Sequence, residues 1–280
     1  VYAAELAIKS KADSAQARDL LFELAVEYLT AMARHGQVCG EPVLRWSNGG
    51  LRATLYLARP DAFRPRFHSM EGGQRLKLLR SRCTAAPRWE LCDDSAKRRS
   101  RCPDVSAVDA LYLFTHMLDP SSPVCVGATG EPIPTYMLPL RDHEIDRINC
   151  WAEHYRMNDR MWMENGELEL DAYGQIAEVD SDLSREGREL CALIETSVKS
   201  PTYYYLQRYW GYPDLQREHD RRCPECDGAW GCRITDRQGL GSYEFRCRSC
   251  RLISSRGLMP AEARYARIGE HSGNGKTKRS

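Results

Sequence analysis

Cys223-Pro-Glu-Cys226, followed twenty residues later by Cys247-Arg-Ser-Cys250, decides how the end of this chain folds. The spacing C-x2-C-x20-C-x2-C joins two tight thiolate knuckles into a tetrahedral four-sulfur cage suited to Zn2+. One such pair alone would serve equally as a redox dithiol. Two pairs at this separation point to one structural zinc, with Cys223, Cys226, Cys247 and Cys250 as its ligands.

The residues between the knuckles agree. Asp227-Gly228 is a turn signal, and Ala229–Thr235 reads as a strand with Trp230 and Ile234 on one face. Asp236–Gly241 carries a Gly-x-Gly turn. Ser242–Arg246 alternates, with Tyr243 and Phe245 opposite Glu244 and Arg246, and Leu252 and Ile253 supply a third short strand. This is the layout of a zinc ribbon. A module of roughly 35 residues lies below the ~40 at which domains ordinarily fold without metal, disulfides or a partner. A structural zinc contributes about 10–16 kcal/mol in small peptides.

The 280-residue chain has room for one large domain or two ordinary ones. Its 42% apolar and 28% charged residues are those of a soluble globular protein. No apolar run approaches the ~20 residues of a membrane span. The opening Val1-Tyr-Ala-Ala-Glu-Leu6 lacks a basic region and an apolar signal core. Twelve cysteines in such a chain, four of them in CxxC pairs, indicate a reducing compartment, and the expected location is the cytoplasm. Cys39, Cys83, Cys92, Cys102, Cys125, Cys150, Cys191 and Cys232 have no paired spacing, and most of them read as small buried side chains. A second metal site from Cys83, Cys92 and Cys102 with Cys125 and His116 is the lesser alternative, because the separations are irregular.

Upstream, Tyr2–Lys9 reads as a strand and Ser14–Arg34 as an amphipathic helix capped by Ser14, with Leu20, Leu21, Leu24, Ala25, Tyr28, Leu29 and Met32 on its stripe. Pro42–Trp46 and Leu51–Leu57 read as strands joined by the Ser47-Asn-Gly-Gly50 turn. This β-α-β-β order opens a sandwich of the split βαβ kind. Gly72–Arg82 reads as a basic helix start, Trp89–Cys92 as a possible strand, and Ala110–Met117 as strongly β-like. Pro120–Leu140, rich in proline, reads as extended segments. Asp142–Trp162 is a clear helix with Asp142 as its cap. A second helix starts near Ser184 and carries Leu190, Leu193 and Ile194. A third is expected from Ser200-Pro201, carrying Tyr203, Tyr204, Tyr205, Tyr209 and Trp210. The expected fold is therefore α+β: residues 1–140 an α+β domain, 141–216 a helical segment packed on it, 217–256 the ribbon and 257–280 a disordered basic tail.

The net charge of +1 hides a split. Asp142–Val198 holds fifteen acidic and five basic residues, whereas Arg217–Ser280 holds fourteen basic and eight acidic. A basic face of this kind suits phosphate.

Several stretches carry a family resemblance: Leu113-Phe-Thr-His-Met-Leu-Asp-Pro-Ser-Ser-Pro-Val-Cys125, Gly130-Glu-Pro-Ile-Pro134, Ser184-Arg-Glu-Gly-Arg-Glu-Leu-Cys191, Pro201-Thr-Tyr-Tyr-Tyr-Leu206 and the two knuckle segments. Together they resemble an uncharacterised proteobacterial family of zinc-ribbon-containing proteins proposed to bind nucleic acid. The resemblance runs from Tyr2 to about Ser254. It implies the four zinc cysteines named above and brings no catalytic residues.

Three functions compete. In the first, arginines on the ribbon (Arg233, Arg246, Arg248 and Arg251) and the Lys97-Arg98-Arg99-Ser-Arg101 cluster contact the phosphates of DNA or RNA, since the guanidinium fork matches phosphate geometry. Trp230, Tyr243 and Phe245 could stack on bases, though Trp230 and Phe245 more often form a ribbon's own core. In the second, the chain is an adaptor that docks onto a nucleic-acid-handling protein complex through the ribbon and the aromatic helix. The third, an enzyme, has the weakest support: there is no glycine-rich phosphate loop, HExxH or GxSxG, and a four-sulfur zinc leaves no open position for water. His116 with Asp119, and Cys150 with His154, are commoner as structural residues.

Overall fold

The computed structural model describes residues 1–11, 14–47, 50–92, 105–164, 166–231, 243–257 and 259–260. The protein is α+β and divides into two compact units. Unit 1 comprises Val1–Pro103, Asp119–Pro123 and Pro132–Cys150, and unit 2 comprises Asp104–Leu118, Val124–Glu131 and Trp151–Ser280.

Unit 1 holds β1 (Tyr2–Ile8), α1 (Ala15–Arg34), β2 (Val38–Ser47), β3 (Gly50–Leu57), α2 (Met70–Ser81) and β4 (Arg88–Leu91). The sheet order is β2-β3-β1-β4, with every pairing antiparallel. This completes the split βαβ arrangement that the first four elements predict. Alternation sets the buried face: Ala4, Leu6 and Ile8 of β1 stand opposite Leu55, Ala53 and Leu51 of β3, and all six are buried. Leu21, Ala25, Tyr28, Leu29 and Met32 of α1 recur at helical spacing and join the same core. Ser14 caps α1 by accepting the Ala17 N–H at 3.2 Å. Ser47 pairs with Gly50, while the turn residues 48–49 lie outside the described residues.

Asp142 plays a different part from the one expected of it. It is the first residue of α3 (Asp142–Met163), and its carboxylate accepts the Met70 N–H at 2.8 Å, satisfying the start of α2. Glu144 serves the start of α3 by accepting the Arg141 N–H at 2.8 Å.

Unit 2 holds β5 (Leu111–Leu113), β6 (Val124–Val126), most of α3, α4 (Glu169–Ala177), α5 (Asp182–Val198), β7 (Thr202–Tyr205), β8 (Trp210–Gly211), α6 (Leu215–His219), β9 (Phe245–Cys247), β10 (Leu252–Ser254) and β11 (Met259–Pro260). Its main sheet runs β6-β5-β7-β10-β9, with β5, β7 and β10 parallel. All residues of β5, β7 and β10 are buried, as expected for parallel strands covered on both faces.

The helix expected from Ser200 is this central strand β7. Ser200-Pro201 reads as a helix start, but here it follows a stop. Lys199 closes α5 in the left-handed conformation at φ 67°, and a proline shortly after a C-cap cannot continue a helix. Thr202 and three tyrosines then suit a pleated strand. α5 crosses β7 closely: a Cβ on Gly187 would lie 2.2 Å from Tyr204 Cε2, so only glycine fits there. Ser184 Oγ lies 3.3 Å from the Tyr204 hydroxyl, and the Trp151 indole donates to Leu183 O at 3.1 Å. Two other elements differ from expectation. The β-like stretch from Ala110 keeps strand form only at Leu111–Leu113, and α4, which has no side-chain cap at Leu168, was not foreseen.

Tyr136 belongs to the core of unit 1, and β9 and β10 extend the main sheet of unit 2. Among the described residues no helix is long and apolar enough to cross a membrane.

Candidate metal centre and the arginine cleft beside it

The four predicted cysteines converge. Their sulfurs all lie within 4.8 Å of one another, and Cys226 Sγ stands 3.7 Å from Cys247 Sγ. A tetrahedron with metal–sulfur bonds of about 2.3 Å has edges of about 3.8 Å, so this separation fits a four-thiolate ion. It is far too long for a disulfide, whose sulfurs are about 2.05 Å apart.

Each knuckle is built from backbone. In the first, Asp227 N–H donates to Cys223 O and Cys223 N–H to Gly228 O, both at 2.9 Å. In the second, the β9–β10 hairpin places Cys247 opposite Leu252. The residue after the last cysteine of each knuckle is left-handed without being glycine: Asp227 at φ 56° and Arg251 at φ 53°. Such residues cost about 1–3 kcal/mol and persist where surrounding structure over-determines them.

Cys223 and Cys247 are buried, Cys226 is exposed and Cys250 is intermediate. Without a cation nearby, burial pushes the Cys223 thiol up and the Cys250 thiol up to about 11. The Gly228 N–H, followed by the neighbouring thiols, draws Cys226 down to about 7. Buried thiols of this kind ionise readily only beside a cation.

Trp230 is buried and stacks on Phe245 at 5.9 Å, so both are core. Gly231 pairs with Phe245, and Arg246 N–H donates to Trp230 O at 2.7 Å; residues from 232 to 242 lie outside the described residues. Tyr243 packs edge-on against Tyr112 at 5.2 Å.

Beneath the knuckles lies a buried ion network. Glu218 on α6 is 1% exposed and meets Arg208 at 2.5 and 2.7 Å, Tyr212 N–H at 2.9 Å and Arg221 at 4.0 Å. Arg208 and Arg221 both lie over the Phe245 ring. Burial raises the Glu218 carboxyl, with Arg208 acting against it.

The predicted phosphate-binding residues fare unequally. Arg248 is exposed and Arg246 half-buried. Arg251 turns its fork onto Glu195, with N–O distances of 2.8 and 2.9 Å, and Nη1 donates to Arg248 O at 2.6 Å. Arg233, Lys97, Arg98, Arg99 and Arg101 lie outside the described residues. Sequence reasoning overlooked Arg185 and Arg188, which α5 places at i and i+3. With Arg248, Arg251, Glu195 and Cys250 they line a cleft of about 820 Å3 against the second knuckle. Arg188 pairs with Glu225 at 2.9 Å, and Arg185 with Asp182. The i, i+3 spacing was readable, but nothing in the sequence says that α5 faces Cys250.

Residues 106–207 match the family described as "Domain of unknown function (DUF2310)", and residues 213–258 match "Domain of unknown function (DUF8594)". A protein of Haemophilus influenzae described as "Uncharacterized protein" is 34% identical over 144 residues, which cover 51% of this chain and 69% of that relative. The chain belongs to the DUF2310 family. A second "Uncharacterized protein" of Haemophilus influenzae is also 34% identical over 144 residues, and the chain spans about half of its length, 54%. A solved structure titled "Crystal structure of antibiotic biosynthesis monooxygenase" is similar at a TM-score of 0.27 and 12% identity, covering 33% of this chain and 97% of that one. That likeness is too slight to bear on the DUF2310 chain's fold or chemistry.

Proposed function

We propose that this protein binds nucleic acid through the cleft beside its four-cysteine site, with one structural Zn2+ folding the knuckles into a ribbon. The observation that carries the reading is the meeting of four arginines from two separate segments, Arg185 and Arg188 with Arg248 and Arg251, in one concave surface against Cys250. Three of them also pair with carboxylates: Arg185 with Asp182, Arg188 with Glu225 and Arg251 with Glu195. The planar guanidinium fork matches phosphate geometry. Four sulfur ligands leave the metal no open position, so its role is to shape the cleft.

The glutamates in the cleft moderate its charge, and affinity should be modest. The adaptor alternative loses part of its surface: of the Tyr203–Tyr212 aromatic segment it needs, Tyr203, Tyr204, Tyr205 and Trp210 are buried.

The test is a fluorescence titration with labelled single-stranded RNA and DNA at several salt concentrations. Three or four phosphate contacts give a log–log slope of about −2 to −3. Arg188→Gln combined with Arg248→Gln should flatten that slope by about one to two. Absence of binding at about 50 mM salt refutes the reading. A partner that stays bound after nuclease treatment, with no nucleic-acid affinity in the pure protein, would favour the adaptor.

A further inference from the structure

Unit 1 holds a pocket whose lining shares no residue with the metal centre. Where α1, α2 and β4 meet the chain at Phe63 and Pro65, a pocket of about 240 Å3 opens, walled by Tyr28, Phe63, Leu76, Pro87 and Trp89 and edged by Arg80. Phe63 and Trp89 stack with centroids 5.4 Å apart and planes only 14° from parallel. Tyr28 is fully buried, and its hydroxyl lies 2.9 Å from His68 Nε2. Burial raises the Tyr28 hydroxyl and lowers His68, so both are neutral at pH 7.

The charge at the pocket is Arg80. Its field reaches the Tyr28 hydroxyl, and among the described residues no carboxylate lines the walls. Arg80 is exposed and has no ion-pair partner among the described residues. A flat aromatic wall favours a planar ring. A guanidinium with no carboxylate partner among the described residues suits an anionic group with two parallel oxygens. The volume is below the ~300 Å3 at which drug-sized pockets begin, which limits the ligand to a single ring.

We propose that this pocket binds a single-ring aromatic carboxylate, its ring near the Phe63–Trp89 pair and its carboxylate on Arg80. Phosphate alone would leave the apolar walls unused, and a neutral ring would leave Arg80 unused.

The test titrates the full chain with benzoate, benzyl alcohol and cyclohexanecarboxylate, following the Trp89 indole N–H by nuclear magnetic resonance. Benzoate should bind saturably at millimolar concentrations and shift that signal, with cyclohexanecarboxylate weaker. Arg80→Gln, at an exposed position that leaves the core intact, should weaken benzoate about tenfold and leave benzyl alcohol unchanged. Leu76→Phe should block both ligands, with circular dichroism reporting an unchanged fold. No saturable shift, equal binding of cyclohexanecarboxylate, or benzoate binding indifferent to Arg80→Gln would each overturn the proposal.

Discussion

The sheet of unit 1 is closed by aliphatic side chains: Leu6, Ile8, Leu51, Leu55 and Leu57 meet Leu21, Leu29 and Met32. The sheet of unit 2 is closed by tyrosines, a buried Glu218–Arg208 pair and, at its far edge, four thiols. The first kind of core needs nothing beyond the chain. The second contains groups that are costly to bury unless each finds its partner. Damage to those partners should therefore disable unit 2 and spare unit 1.

Removing the metal should have the largest effect. Chelation, or Cys247→Ser, should release the β9–β10 edge, forfeiting a large part of the ~10–16 kcal/mol that structural zinc supplies in small peptides. Hydrogen exchange should rise at Phe245–Ser254 and stay slow in β1 and β3. Equal loosening of both sheets would erase the contrast.

Glu218→Ala should come next. It strands Arg208 and Arg221 without their carboxylate, a loss of about 3–5 kcal/mol for a broken buried pair. Chemical denaturation should show the loss in unit 2. Leu6→Ala, a cavity of about 2–5 kcal/mol in unit 1, should leave zinc stoichiometry untouched. If Leu6→Ala released zinc, the units would not be independent.

The legibility of the sequence follows the same divide. Strand alternation in β1 and β3 and the 3.6-residue stripe of α1 are local patterns, and unit 1 could be read from them. The clustering of Cys223, Cys226, Cys247 and Cys250 was legible because knuckle spacing is also local. The Tyr203–Tyr205 segment misled because a strand buried on both faces has no alternation, and its Ser-Pro prelude serves either end of a helix. The arginine cleft was invisible for a different reason: Arg188 and Arg248 are far apart in the chain, and only the packing of α5 on the sheet unites them.

A smaller effect concerns packing between α5 and β7. Gly187→Ala would force its Cβ against Tyr204 and should cost about 1–3 kcal/mol, read as a lower denaturation midpoint.

The smallest effect is expected at Glu195. Arg251 holds its carboxyl below the usual carboxylate range. The stabilisation is thus fully present above the ordinary glutamate pKa and is lost as pH falls through the lower folded value. Both side chains are about a third exposed, so the contribution should be under about 1 kcal/mol. Glu195→Gln should remove that part of the acid dependence. An unchanged stability–pH curve below pH ~4.5 would show that the pair contributes nothing.

The proposed ribbon rests on four thiolates holding one structural zinc ion. X-ray absorption at the zinc edge, on protein purified without added metal and measured together with metal content, tests it most directly. The account predicts one zinc per chain surrounded by four sulfurs at about 2.3 Å. A metal-free protein with an equally ordered β9–β10 hairpin, or a zinc shell containing nitrogen or oxygen, would contradict it.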